Sequence, residues 1–414
     1  MAAGYKALTV CSALKTAEAA GGTRTLESVE ANELAGIYPE LDGLVREMAV
    51  EIDRNRVSVA WDEAMPPRVA QFNGNGCVIM PVGWDAPTIG VRVGAPLPEG
   101  DDLRAGEPQG NVALLNEAVE QAFEGGYGEG VNTTAVLVLQ DDRVVAEEYA
   151  PGFDRNTPQR TWSVGKSLAG TIIGAAVHRG EAEVNASAAI ADWSRPGDPR
   201  RRITLDQLMR MASGLTSDTA GNRTDALYFG GVGIDEQATT WPLIAPPGTR
   251  YRYANNDTLL AVMAIAPTLA RHPPADLFRR LGMYDTWAET DWRGNYMLSS
   301  QVWTTARDLA RFGRLYLNDG VVGGERILPE GWRDHVSTPS GPQPGGEQGY
   351  GATFWLFNKS EGIPADAISA NGNRGQYVII VPSRNIVIVR RGEDPAGKRF
   401  DFIAFTRDVL AALE

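Results

Sequence analysis

The chain has 414 residues, enough for two or three structural units with cores of their own. Lys and Arg number 39 against 52 Asp and Glu, for a net charge of -13, which argues against a nucleic-acid partner. No apolar run approaches the roughly 18 residues of a membrane span, and two cysteines rule out a disulfide-rich scaffold or a Cys-rich zinc site.

The first twenty residues, MAAGYKALTVCSALKTAEAA, hold a short apolar run but no signal-peptide pattern. The compartment is therefore cytoplasmic, or periplasmic if a leader has been removed. Cys11 and Cys77 could pair in an oxidising compartment or stay as two buried thiols. Residues 1–104 read as an N-terminal appendage without assignable chemistry, and as a candidate surface for a partner or a second copy. Within it, Thr25 to Ile37 and Leu41 to Ile52 are helix-like on either side of Pro39, while Arg56 to Trp61 and Arg68 to Met80 read as strands. Gly74 and Gly76 in FNGNGC suggest a turn, because no helical pattern follows to make a dinucleotide loop. Pro87 to Pro108 is rich in Gly and Pro and reads as a linker.

From Asn111 a helix runs through Phe123. Thr133 to Leu139 and Arg143 to Tyr149 then alternate as a hairpin about an Asp-Asp turn. The next stretch, RTWSVGKSLAGTIIGAAVHRG, carries the strongest chemical signal. If a helix starts near Ser163, Ser163 and Lys166 lie three residues apart on one face, a hydroxyl beside an amine. Leu168, Ile172, Ile173, Ala176 and Val177 form an apolar stripe that would bury the helix, and its positive end would favour an oxyanion. The embedded GKS is not a phosphate-binding loop, because Arg160 stands where that motif needs glycine.

Ile203 to Met211 reads as a short helix ended by Ser213-Gly214, and residues 216 to 240 as a polar, Gly-rich loop. Tyr253, Ala254 and Asn255 precede a helix-like run from Thr258 to Ala266, with Asn256 or Asp257 as cap. Thr304 to Asn318 is an amphipathic helix, Gln376 to Val381 and Asn385 to Arg390 a second hairpin, and Phe400 to Leu413 a closing helix. Of the three histidines, His178 ends the Ser163 helix while His272 and His335 stand in polar loops; neither His-Glu-x-x-His nor Gly-x-Ser-x-Gly occurs. Strands at both ends of the core with helices between them suit an α+β fold, an antiparallel sheet flanked by the terminal helices with an inserted helical domain.

Ser163-x-x-Lys166, Tyr253-x-Asn255 and the Gly-rich strand entry ANGNRGQ, in that order, resemble the serine β-lactamase and penicillin-binding-protein superfamily. The chain is most similar to the class C-like branch that includes 6-aminohexanoate-dimer hydrolase and the family VIII esterases. LDQLMRMASGL, PPGTRYRYANND and TARDLARFGRLYLNDG carry the likeness further, over about residues 110 to 414. The resemblance implies a β-lactamase/transpeptidase-like domain over 105–414, with an α/β part at about 105–170 and 345–414 and a mostly helical insertion at about 171–344. It implies Ser163 as the acylated nucleophile, Lys166 as its base, Tyr253 as the proton shuttle and Asn255 as an orienting residue. The backbone N–H groups of Ser163 and Gln376 would bind the oxyanion. Asn373-Arg374-Gly375 stands where relatives carry Lys-Thr-Gly or His-Thr-Gly, which puts β-lactam hydrolysis in doubt. Arg374 is then either a site for a substrate carboxylate or a solvated strand end. The expected activity is hydrolysis of a small linear amide, short peptide or ester without metal or organic cofactor. The alternatives are a β-lactamase or DD-peptidase of cell-wall metabolism, and a non-catalytic sensor on the same fold.

Overall fold

The computed structural model describes residues 1–84, 102–216 and 224–414. Most of the expected linker and part of the expected loop at 216 to 240 lie outside them. The centre of the fold is an eight-stranded sheet. In spatial order its strands are Gly349–Tyr350, Trp355–Leu356, Ile368–Gly372, Gln376–Val381, Ile386–Gly392, Thr133–Gln140, Arg143–Tyr149 and Arg104–Ala105. Every pairing is antiparallel except the last, where Arg104–Ala105 runs parallel to Arg143–Tyr149.

The two-residue period of a strand explains why this sheet is covered on both faces. Leu137, Leu139, Val387 and Val389 belong to the same core as the helices Val164–His178 and Ala306–Leu317. Their neighbours Val136, Val138, Ile386 and Ile388 turn the other way, toward Val112–Glu124 and Phe402–Ala412. A slip of one residue would exchange these sets, so the register Val138↔Ile388 is strongly specified. Asp141 and Asp142 both take positive φ, 48° and 61°, the geometry that a two-residue hairpin turn requires.

The sequence-predicted helices start and stop at identifiable caps. Asn111 accepts from Ala113 N and Leu114 N, Thr204 forms a capping box with Gln207, and Thr305 accepts from Asp308 N. The helix expected from Thr258 begins earlier, at Asn255, with Ala254 as N-cap in place of Asn256 or Asp257. The helix expected over Leu41 to Ile52 ends at Glu47, and Val50–Asp53 is a strand.

Residues 1–84 contribute an unexpected helix, Ala2–Ala19, and a four-stranded antiparallel sheet of Val50–Asp53, Arg56–Val59, Arg68–Phe72 and Cys77–Ile79. The helix is buried nearly all round, and its Tyr5, Leu8 and Val10 share one core with Val164, Ile173 and Phe229. Cys11 and Cys77 are disulfide-bonded, with 6.1 Å between their Cα atoms, and tie the helix to the last strand of this sheet. FNGNGC is a turn, closed by Asn73 N donating to Gly76 O at 3.1 Å. Among the described residues no helix is long and apolar enough to cross a membrane.

Candidate active site

Ser163 is the N-cap of the helix Val164–His178, and the residue before it, Trp162, takes a φ of 50°. A bulky residue in that region of backbone space is costly and persists where the surroundings hold it. Here Arg160 stacks its guanidinium 3.7 Å from the Trp162 ring centroid, while its Nη2 donates to Ser300 Oγ at 2.8 Å. The helix is packed tightly enough that a Cβ on Gly165 would stand 2.8 Å from the Leu298 carbonyl. Its first turn is therefore held rigidly while Ser163 itself stays partly exposed.

Lys166 is 1 % exposed, and its Nζ lies 2.9 Å from Ser163 Oγ, 2.6 Å from Asn255 Oδ1 and 2.8 Å from the Ser299 carbonyl. Burial pushes this amine down to about 7, and the Arg160 charge pushes the same way. Asn255, the first residue of the helix Asn255–Ala264, uses its other amide atom to donate to Thr224 Oγ1 at 3.3 Å. Tyr253 lies just upstream, its ring centroid 5.1 Å from Lys166 Nζ. Burial raises the Tyr253 phenol above its ordinary range, while hydrogen bonding of its side chain with Ser163 and Trp355 pulls the other way. Tyr350 and Trp355 flank it at 5.9 and 5.4 Å between ring centroids. The structure thus brings Ser163, Lys166, Tyr253 and Asn255 into one group.

It places the third expected element differently. Strand Ile368–Gly372 comes closest to the nucleophile at Gly372, where a Cβ would meet the Thr161 carbonyl and lie 3.2 Å from Ser163 N. Only glycine permits that approach. Arg374 instead occupies the turn, with a φ of 57°, and its buried guanidinium pairs with Glu393 at 2.9 Å. The same guanidinium donates to the carbonyls of Asn32 and Ala35 at 2.8 and 2.9 Å, so it is neither a solvated strand end nor a group aimed at Ser163. Gly375 lies against the Arg390 guanidinium, where a side chain would not fit. Gln376 pairs with Gly372 across the hairpin, and its side chain accepts from Arg391 Nε at 2.6 Å and donates to the Gly392 carbonyl. The Arg374 and Gln376 side chains therefore support the strand end and do not join the Ser163 group, and Gly375 packs against Arg390; the role expected of Gln376 rests on its backbone N–H, not on this side chain.

The histidines stay outside it as well. His178 is exposed in the last turn of its helix, His272 lies against Glu181 and His335 against Asp206. Among the described residues no cluster of His, Cys, Asp and Glu could hold a metal ion. The sequence reading missed Ser299, a backbone acceptor that no residue type announces. It also missed Trp355 on the neighbouring strand and Arg160, whose only local signal is a cation three residues before the serine.

The chain is similar to known proteins both in sequence and in fold. The chain is 25 % identical over 307 residues to 6-aminohexanoate-dimer hydrolase of Paenarthrobacter ureafaciens, covering 64 % of this chain and 73 % of that one. A structure from Bacillus anthracis, provisionally described as a 6-aminohexanoate-dimer hydrolase, superposes with a TM-score of 0.60 at 22 % identity over 76 % of this chain and 86 % of its own. A class C β-lactamase superposes with a TM-score of 0.55 at 14 % identity over 73 % and 96 %, a likeness of fold. The family model for Beta-lactamase matches residues 117–408, a span that holds Ser163, Lys166, Tyr253 and Asn255 together, and the chain belongs to that family.

Proposed function

We propose that the protein is a serine hydrolase that cleaves a small linear amide, short peptide or ester through an acyl-enzyme on Ser163. The hydrogen bonding of Lys166 carries this reading. A neutral amine has two N–H donors and one lone pair. Asn255 Oδ1 and the Ser299 carbonyl can only accept, so they take the two donors, and the lone pair is left facing the Ser163 hydroxyl at 2.9 Å. With the amine lowered to about 7, the neutral form is well populated near neutral pH.

Ser163 Oγ then attacks the substrate carbonyl while its proton passes to Lys166. The tetrahedral oxyanion sits at the helix start, where Ser163 N–H donates to it, with the strand end at Gly372 beside it. Tyr253, within reach of Ser163, relays the proton to the departing amine or alkoxide as the carbonyl carbon to leaving-group bond breaks. Water, deprotonated by the same pair, attacks the acyl carbon and releases the acid, and the proton returns to Ser163. Asn255 keeps the lysine in place. The relative named for the 6-aminohexanoate dimer makes a linear amide the first substrate to try.

The test is intact mass after brief exposure to activated esters, short linear amides and a penicillin, with wild type and Ser163→Ala side by side. An acyl increment on wild type alone is expected, from an ester or amide. An increment and turnover with the penicillin alone would favour the β-lactamase or DD-peptidase reading. Binding that survives Ser163→Ala, without turnover of any reagent, would favour the sensor.

A further inference from the structure

The stretch 32–38 lies outside the family-matched span, yet it meets the site on two sides. On one side it holds the turn that follows Gly372. Arg374 donates to the carbonyls of Asn32 and Ala35, Asn132 Nδ2 donates to Asn32 Oδ1 at 3.2 Å, and Ala396 N donates to the Gly36 carbonyl at 2.7 Å. Gly36, at a φ of 59°, packs so closely on Pro395 that a Cβ would lie 2.7 Å from its ring. These contacts fix the stretch to the strand that borders the nucleophile.

On the other side it presents Tyr38. The Tyr38 ring stands edge-on to Trp162, the residue before Ser163, at 6.5 Å between centroids, and edge-on to Tyr5 at 6.2 Å. Behind them Tyr5 packs on Phe229 at 4.4 Å, and Arg160 lies over the Trp162 and Phe229 rings at 3.7 and 5.5 Å. Tyr38 is half-buried and caps the helix Pro39–Glu47 in an extended conformation. The following proline disfavours the helical alternative, so its backbone has little freedom to swing away.

We propose that residues 32–38 form one wall of the acyl cleft and that Tyr38 determines which acyl groups fit beside Ser163, favouring short or flat apolar ones. This rests on the serine-hydrolase reading. A pocket wall discriminates between substrates by the methylenes it admits or excludes, so removing or enlarging the ring changes chain-length preference far more than it changes turnover of the smallest substrate. The residue acts on specificity and takes no part in proton transfer.

The experiment measures kcat/KM for the p-nitrophenyl esters of acetate, butyrate and octanoate with wild type, Tyr38→Ala and Tyr38→Trp. Tyr38→Ala is expected to raise the octanoate-to-acetate ratio about tenfold, and Tyr38→Trp to lower it, by the same pocket-size argument. General distortion would depress all three esters together and leave the ratio unmoved. A ratio within about twofold of wild type in both variants overturns the proposal while leaving the hydrolase reading intact. A wild type that turns over no ester and acquires no acyl increment overturns both. Should Tyr38→Ala be insoluble, the sign of the Tyr38→Trp change decides alone.

Discussion

Lys166 and Arg374 are both buried basic side chains, one within the Ser163 group and the other behind the strand end beside it, and their surroundings are opposite. Arg374 faces Glu393 at 2.9 Å, and the carboxylate raises an already high guanidinium pKa despite burial. Among the described residues Lys166 has no ion-pair partner; its neighbours are a hydroxyl, an amide oxygen and a carbonyl, with Arg160 as the nearby charge. Burial without a counter-ion lowers an amine until it can act as a base, whereas burial with one makes a tie that holds backbone. Residue type and burial do not separate these cases. The partner does.

The largest effect that sharpens this contrast is at Lys166. Lys166→Arg keeps a cation that cannot deprotonate near neutral pH, so it is expected to be as inactive as Lys166→Ala, with both losing on the order of 10² or more in acylation rate. Stopped-flow acylation by an activated ester checks this. An arginine variant near wild-type rate would mean that the charge of Lys166, and not its lone pair, does the chemistry.

Arg374 should fail in the other currency, stability. Arg374→Ala leaves Glu393 buried without its ion-pair partner, with the Asn32 and Ala35 carbonyls short of a donor, and is expected to destabilise by about 3–5 kcal/mol in denaturant unfolding. Arg374→Ala combined with Glu393→Leu should recover part of that loss, because no uncompensated charge remains. If Arg374→Ala unfolds like wild type but loses selectivity for carboxylate-bearing substrates, the arginine belongs to substrate recognition after all.

The two cations also show what the sequence could reveal. Ser163 and Lys166 were legible because a helix of 3.6 residues per turn sets positions i and i+3 side by side, and Tyr253-x-Asn255 only through the resemblance of the three motifs, in their order, to the family. The hairpins Thr133–Gln140 to Arg143–Tyr149 and Gln376–Val381 to Ile386–Gly392 were legible from period two. Arg374 was not, since its partners Asn32 and Glu393 lie 342 and 19 positions away and no local pattern encodes them. The helix Ala2–Ala19 escaped notice for a related reason. A helix buried all round presents no amphipathic stripe, which is the signal a sequence reading depends on. Gly372 was passed over for Gly375 because a glycine needed for close approach and one needed for positive φ look the same in sequence.

The smallest effect, and the finest test of the contrast, is at Arg160. Its charge opposes protonation of Lys166, so removing it should raise the lysine pKa. The neutral base is the active form, and the fraction of it grows as pH rises through that pKa. The rising limb of kcat/KM against pH, centred near 7 in wild type, is therefore expected to move to higher pH in Arg160→Met. The plateau at high pH should be less affected, because the neutral lysine is then restored. Arg160 also stacks on Trp162 and donates to Ser300, so some loss of the plateau is expected from looser packing. The position of the limb separates the two contributions, since packing alone scales the curve without moving it. A limb left unmoved while the plateau falls would show that Lys166 is kept neutral by burial alone and that Arg160 serves only to hold the turn before Ser163.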